Sequence, residues 1–383
     1  MPIRQRLVTY GFSTAAVATL ALAALLQPWR PGGEPHPLIK PAPAPAAAVD
    51  VVFAVDTTGS MGGLLDGAKR TVWSIATHIR KTDPNAELRI GLVAYRDIGD
   101  AYVTRDFALT GDLDAVFAEL ASYRAEGGGD TPEDVDAALD DALHHMQWRS
   151  AAKKIVFLVG DAPPASRGDV ARFDATAQQA GAAGIVINTI RCGFDGETEA
   201  AWRRIAQLGH GEFSTIEQTG GVQQIATPYD DEMARLSATI DSTTVIVGGD
   251  AERRAYGKAM EAAAAAPAPA KADRAAYYAT PTPAAAATGG GRADHDLVGG
   301  VVSGKMSVDG VAAADLPEDL RPLSKAELKA EVGKRGAARK AAQEKLIQLT
   351  KQREAFLRDK AANDDGFDAK VKGTLDAQLK AKR

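Results

Sequence analysis

The chain has 383 residues, 45% hydrophobic and 25% charged, which excludes wholesale disorder and leaves room for one large domain with extensions or two smaller ones. One cysteine and six histidines exclude a disulfide framework and a cysteine-built zinc site, and speak against a His-rich metal centre. A net charge of −5 excludes a generic nucleic-acid binder.

At the start, Arg4 and Arg6 precede an uncharged run, residues 7–26, rich in Ala, Val and Leu. A short basic stretch before an apolar run reads as a secretory signal. About twenty helical residues also reach roughly 30 Å, the thickness of a bilayer core, so an uncleaved anchor fits as well. Residues 1–27 are therefore expected to be a signal peptide or an N-terminal membrane anchor. Either role puts the remainder outside the cytoplasm: periplasmic, anchored facing the periplasm, or secreted. The Ala-rich composition has a bacterial cast. Residues 28–48 are rich in Pro and Ala and read as a spacer.

Strands and helices then alternate over residues 49–246. Residues 51–55 are continuously apolar, as a strand buried on both faces should be. Leu65, Ala68, Val72, Ile75 and Ile79 follow at helical spacing. Strands are expected at 88–95, at 102–107 (a short edge strand), at 154–159, 185–190 and 211–215. Helices are expected at 113–122, 132–148, 170–183, 197–208 and 222–240. This order predicts an α/β fold, a doubly wound and mainly parallel sheet flanked by helices, with ligands bound at the carboxyl ends of the strands. Beyond it, 262–292 returns to Ala, Pro, Thr and Gly and reads as a low-complexity linker. Residues 293–322 read as a small mixed segment with strands at 297–302 and 305–308. Residues 323–383 read as a basic amphipathic helical extension. From Ser324 onward there are 16 Lys and Arg against 9 Asp and Glu. Leu328, Val332, Ala342, Leu346, Leu349 and Phe356 give a seam that Arg335, Arg339 and Arg353 interrupt. The basic excess suits solvated helix faces, or an anionic surface.

Three of the strand-end loops carry oxygen ligands. Asp56, Thr58 and Ser60 occupy alternate positions directly after the first strand. Thr131 lies in the Gly-rich loop 127–134, and Asp161 follows the strand at 154–159. Carboxylate and hydroxyl oxygens without His or Cys suit a hard divalent cation such as Mg2+, with Mn2+ or Ca2+ as substitutes. Two carboxylates and three hydroxyls balance the charge and leave a position for an incoming carboxylate. Tyr95, Arg96 and Asp97, after the second strand, are candidates for ligand selectivity, or else a loop ion pair. Asp130 is a further such candidate. Together with Glu133 and Asp134 it also suits capping of the helix that opens at Pro132. Cys192 reads as a buried small hydrophobe and His144–His145 as ordinary helix histidines.

The motif Asp-x-Thr-Gly-Ser, with a Thr about 75 residues on and an Asp about 30 further, resembles the metal-ion-dependent adhesion site of the von Willebrand factor A domain. The resemblance covers residues 49–246. Its wording, Asp-Thr-Thr-Gly-Ser-Met, Ala-Tyr-Arg-Asp and Gly-Gly-Gly-Asp-Thr-Pro-Glu, is similar to domains of bacterial exported proteins and of some alpha-type kinases. It implies metal contact through the hydroxyls of Thr58, Ser60 and Thr131, with Asp56 and Asp161 acting directly or through water. Thr58 stands where many members have Ser, and the hydroxyl is kept. No kinase-like lobe is recognisable in the sequence, so that activity is not carried over. The expected role is non-enzymatic: an exported adhesion or assembly module whose protein partner supplies an acidic side chain to the metal. Two rivals remain. One is a phosphoaspartyl hydrolase of the haloacid dehalogenase type, with Asp56 as nucleophile; it lacks the expected Asp at Thr58 and a second metal-loop Asp at Ala165, and leaves 127–134 unexplained. The other is a structural envelope protein with a non-functional metal site.

Overall fold

The computed structural model describes residues 48–380, apart from 129–130, 168, 222–224, 281–294 and 361–365. All described residues belong to one compact unit. The leader, the spacer up to residue 47 and Asp130 lie outside them.

The apolar runs form six strands: β1 (Ala48–Asp56), β2 (Glu87–Tyr95), β3 (Thr104–Thr110), β4 (Lys153–Gly160), β5 (Ile185–Cys192) and β6 (His210–Ile216). Their order is β3-β2-β1-β4-β5-β6, and only the edge strand β3 runs antiparallel. The fold is a mixed, mostly parallel sheet flanked by helices, with further helices at the C-terminus. Alternation along β1 explains its continuous apolarity, because successive side chains face opposite layers. Val49, Val51, Phe53 and Val55 join one core, while Val52 and Ala54 join the other. The first core is covered by α1 (Gly62–Thr82) and α2 (Leu113–Ser122). The second is covered by α3 (Val135–Asp140), α4 (Phe173–Ala182) and α5 (Gly196–Leu208). The helix expected over 132–148 is shorter: α3 passes into a π turn, Asp141–His145, and stops.

After β6 the chain continues through α6 (Asp230–Ser242), α7 (Asp250–Ala265) and α8 (Ala268–Ala279). The stretch expected as a linker thus contains a buried helix. Pro267 stands at its N-cap with Pro269 in the first turn, where a missing N–H costs nothing. Ala272, Ala275, Ala276 and Ala279 are small enough for α8 to lie close against α6. The strand expected at 297–302 is instead a short helix, α9 (Leu297–Val302), because Asp296 caps it by accepting from the Val298 N–H at 3.1 Å. Residues 305–308 form a turn entering a 3-10 segment, Val308–Gly310, rather than a strand.

The C-terminal region forms two helices, α10 (Lys325–Lys360) and α11 (Phe367–Lys380). The arginines expected to interrupt the α10 seam are part of it. Arg339 is buried against Asp296, Thr243 and Thr244. Arg353 is buried against Asp230 at 2.7 Å and Asp273 at 2.6 Å. Only Arg335 stays half-exposed, paired with Glu331 on its own helix. Nor does the packing end at residue 246: Phe367, Val371, Leu375 and Leu379 of α11 belong to the same core as Val51 and Phe53.

Candidate metal centre

In an open sheet of this kind a crevice forms at the carboxyl ends of the strands where the winding reverses. Here the reversal lies between β1 and β4, since β2 continues on one side of β1 and β5 on the far side of β4. Asp56 closes β1 and Asp161 follows β4 directly.

Asp56 is wholly buried. Its Oδ1 accepts from the Thr58 N–H at 2.8 Å and from the Thr58 hydroxyl at 2.7 Å. With its proton committed to Asp56, the Thr58 oxygen has lone pairs to spare. The Ser60 hydroxyl lies 3.3 Å from it and is open to solvent. The other Asp56 oxygen, Oδ2, is buried and has no hydrogen-bond partner among the described residues. Burial pushes this carboxyl up to about 7, and the neighbouring charge of Asp161 adds to the rise against the Thr58 hydrogen bonds. Asp161 is half-buried. Its carbonyl accepts from the Thr198 hydroxyl at 3.1 Å, and its Oδ2 accepts from the Gln218 side-chain amide. Two adjacent carboxylates, one with an unmatched buried oxygen, fit a cation of the hard, oxygen-seeking kind.

The three ligand-bearing loops are laced together by backbone. Gly59 N–H donates to Gly127 O and Glu126 N–H to Thr57 O, joining the first loop to the second. Glu133 N–H donates to Pro163 O, and Ala165 N–H to Glu133 O, joining the second to the third. Gly128 has a φ of +69°, and a Cβ there would sit 2.6 Å from that of Thr58. The second loop can therefore close on the first only through glycine. Thr131 is exposed on that loop; among the described residues it has no hydrogen bond to the other four candidates. Asp134 caps α3 by accepting from the Ala137 N–H, as expected.

Tyr95, Arg96 and Asp97 are all buried. Their contacts staple the surrounding strands and loops together. The Tyr95 hydroxyl donates to Val159 O at 3.2 Å, and burial, then the charges of Asp56 and Asp161, hold it well above the usual phenol range. Arg96 donates to the Thr57 hydroxyl and to Arg124 O, and lies over the Tyr102 ring. Asp97 pairs with Arg167, whose guanidinium also reaches Pro132 O. Cys192 is buried as expected; burial, then the charges of Asp161 and Asp56, push its thiol up. Gln218 went unnoticed in the sequence because it stands outside any motif. Inspection of every strand end would have found it, two residues past β6.

The von Willebrand factor A domain model matches residues 50–228. These residues are a von Willebrand factor A domain. An ariadne-like RING finger protein of Acanthamoeba polyphaga mimivirus is 33% identical to the chain over 118 residues, 31% of this chain and 11% of that protein. The alpha-protein kinase vwkA of Dictyostelium discoideum is 28% identical over 117 residues, 30% of this chain and 18% of the kinase. The chain thus spans under a fifth of the length of either relative. A crystal structure of BatB from Bacteroides thetaiotaomicron covers 44% of this chain and 90% of its own, at 15% identity and a TM-score of 0.34. No helix among the described residues is long and apolar enough to cross a membrane.

Proposed function

We propose that the chain is a divalent-cation-dependent protein-binding module with a metal-ion-dependent adhesion site. Asp56, Thr58, Ser60, Thr131 and Asp161 would hold the cation, Mg2+ with Mn2+ or Ca2+ as substitutes. The observation that carries this reading is the buried, unmatched Asp56 Oδ2 beside a second carboxylate. An acidic side chain of the partner protein completes the coordination, and the loops around it supply specificity. Three large apolar side chains on strand-end loops, Ile98, Val170 and Phe194, are exposed, the last at 85%. Exposed apolar groups on the rim of a polar site favour a protein partner over a small ion or sugar alone. The basic and apolar start of the chain supports export to the cell envelope, as a periplasmic, anchored or secreted protein. The net negative charge argues against nucleic acid as the partner.

Calorimetric titration of Mg2+ and Mn2+ into the purified chain tests the metal reading. Saturable binding that disappears in Asp56→Ala is expected. Binding that survives both Asp56→Ala and Asp161→Ala, in folded protein, would place the cation elsewhere and overturn it. Acid-stable phosphorylation at Asp56 by an acyl or aryl phosphate would favour the hydrolase instead.

A further inference from the structure

Gln218 lies outside the set of residues that the adhesion-site motif names, yet its side chain enters the centre. Its Nε2 donates to Asp161 Oδ2 and, at 3.3 Å, to the carbonyl of Ser60. Both partners are acceptors, so the group between them must be the donor end of the carboxamide. The acceptor end, Oε1, rests against Gly193, where an added Cβ would lie 2.3 Å from it. Gly193, just past β5, has a φ of +72° and leaves room for the amide by having no side chain.

The turn that carries Gln218 is fixed on every side. Gly193 N–H donates to Ile216 O, and Gly220 N–H donates to Glu217 O. Phe367 N–H at the start of α11 donates to Gly220 O. On the α1 side, a Cβ on Gly63 would come within 2.9 Å of Thr219 Cα. The backbone is therefore set, while the side chain is half-exposed.

We propose that Gln218 is a built-in occupant of the metal centre. Its amide N–H group takes the place of positive charge on Asp161 and must let go for a cation to engage that oxygen. This rests on the metal reading above. The amide serves the cation-free protein by satisfying Asp161, and it sets a threshold that a cation must exceed. Cation binding to the chain alone is thereby weakened, not abolished.

The test is calorimetric titration of Mn2+ into the wild-type chain, Gln218→Ala and Gln218→Met, with Asp56→Ala as the site control. Methionine keeps the length of glutamine and removes the N–H donors. Cation affinity is expected to rise roughly tenfold in both variants, the worth of one hydrogen bond to a carboxylate. Melting in the absence of cation should shift little or fall, which a purely structural role would also give; the gain in affinity is what such a role does not predict. Equal affinity, or weaker affinity as for a residue that ligates the cation through Oε1, overturns the proposal and leaves the metal reading standing. Absence of saturable, Asp56-dependent binding in every folded variant overturns both.

Discussion

Asp50 and Asp56 stand six places apart on β1, and both are fully buried, yet their surroundings are opposite. Asp50 accepts from the Arg89 Nε at 3.0 Å, from the Arg149 backbone N–H and Nε at 2.9 Å each, and from both guanidinium ends. Burial alone would raise its carboxyl; the hydrogen bonds from Arg89 and Arg149 outweigh that and hold it below the usual range. Asp56 has hydroxyl and amide donors and, among the described residues, no protein cation, so one strand shows a carboxylate with its charge matched from within and another that calls for a charge from outside. The sign for Asp50 follows from its lowered value. Its contribution is complete above the unfolded value of 3.8 and is lost as the pH falls below it. Asp50→Asn should cost about 2–3 kcal/mol at pH 7, since both arginines keep access to water, and much less near pH 2. Urea unfolding of both proteins at the two pH values checks this; an equal difference at both would show that charge is not what Asp50 contributes.

At the level of elements, the central strands, α1 and the loop constellation were legible in the sequence for one reason. A parallel strand buried on both faces must be continuously apolar, and ligands must follow strand ends, so pattern and topology constrain each other. The misread elements lacked such constraint. Residues 297–302 are too short for periodicity to separate a helix from a strand, and a single cap at Asp296 decides it. Alanines 270–279 look like spacer composition and become helix because α6 accepts their small side chains and α1 packs on Tyr277 and Tyr278. The arginines of α10 look like solvent residues until their partners, Asp230, Asp273 and Asp296, arrive from 43 to 123 positions away. The difference between the two kinds of arginine is measurable. Arg353→Ala takes from Asp230 and Asp273 the guanidinium hydrogen-bonded to both and should cost about 3 kcal/mol or more. Arg335→Ala removes a half-exposed pair within one helix turn and should cost under about 0.5 kcal/mol. Chemical denaturation of the two variants decides; comparable losses would mean that Arg353 does not pin α10 to α6 and α8.

On the scale of the whole molecule, α11 ties the far end of the chain to the sheet that carries the candidate site. Phe367 lies with its ring 6.3 Å from that of Phe53, which itself stacks on Phe157 at 5.3 Å. Polar contacts fix the register: Asn188 and Gln378 exchange amide hydrogen bonds, Asp376 meets His78 at 2.8 Å, and Lys153 donates to the carbonyls of Gln378 and Leu379. A segment that merely drifted against the surface would not carry matched donors and acceptors on three faces. Burial of Phe367, Val371, Leu375 and Leu379 is worth roughly 1.5–3 kcal/mol apiece as an upper bound, together comparable with the whole stability of an ordinary domain. The segment 49–246 therefore lacks part of its own core, although every candidate site residue lies within it. A chain ending at Lys360 should melt at least about 10 °C lower and bind a hydrophobic dye at temperatures where the full chain does not. A peptide of residues 361–383, added in excess, should recover part of that loss, because α11 docks through side chains and needs no covalent tie to do so. If the truncated chain melts within about 3 °C of the full one and the peptide has no effect, α11 is an appendage, and the A domain is complete without it.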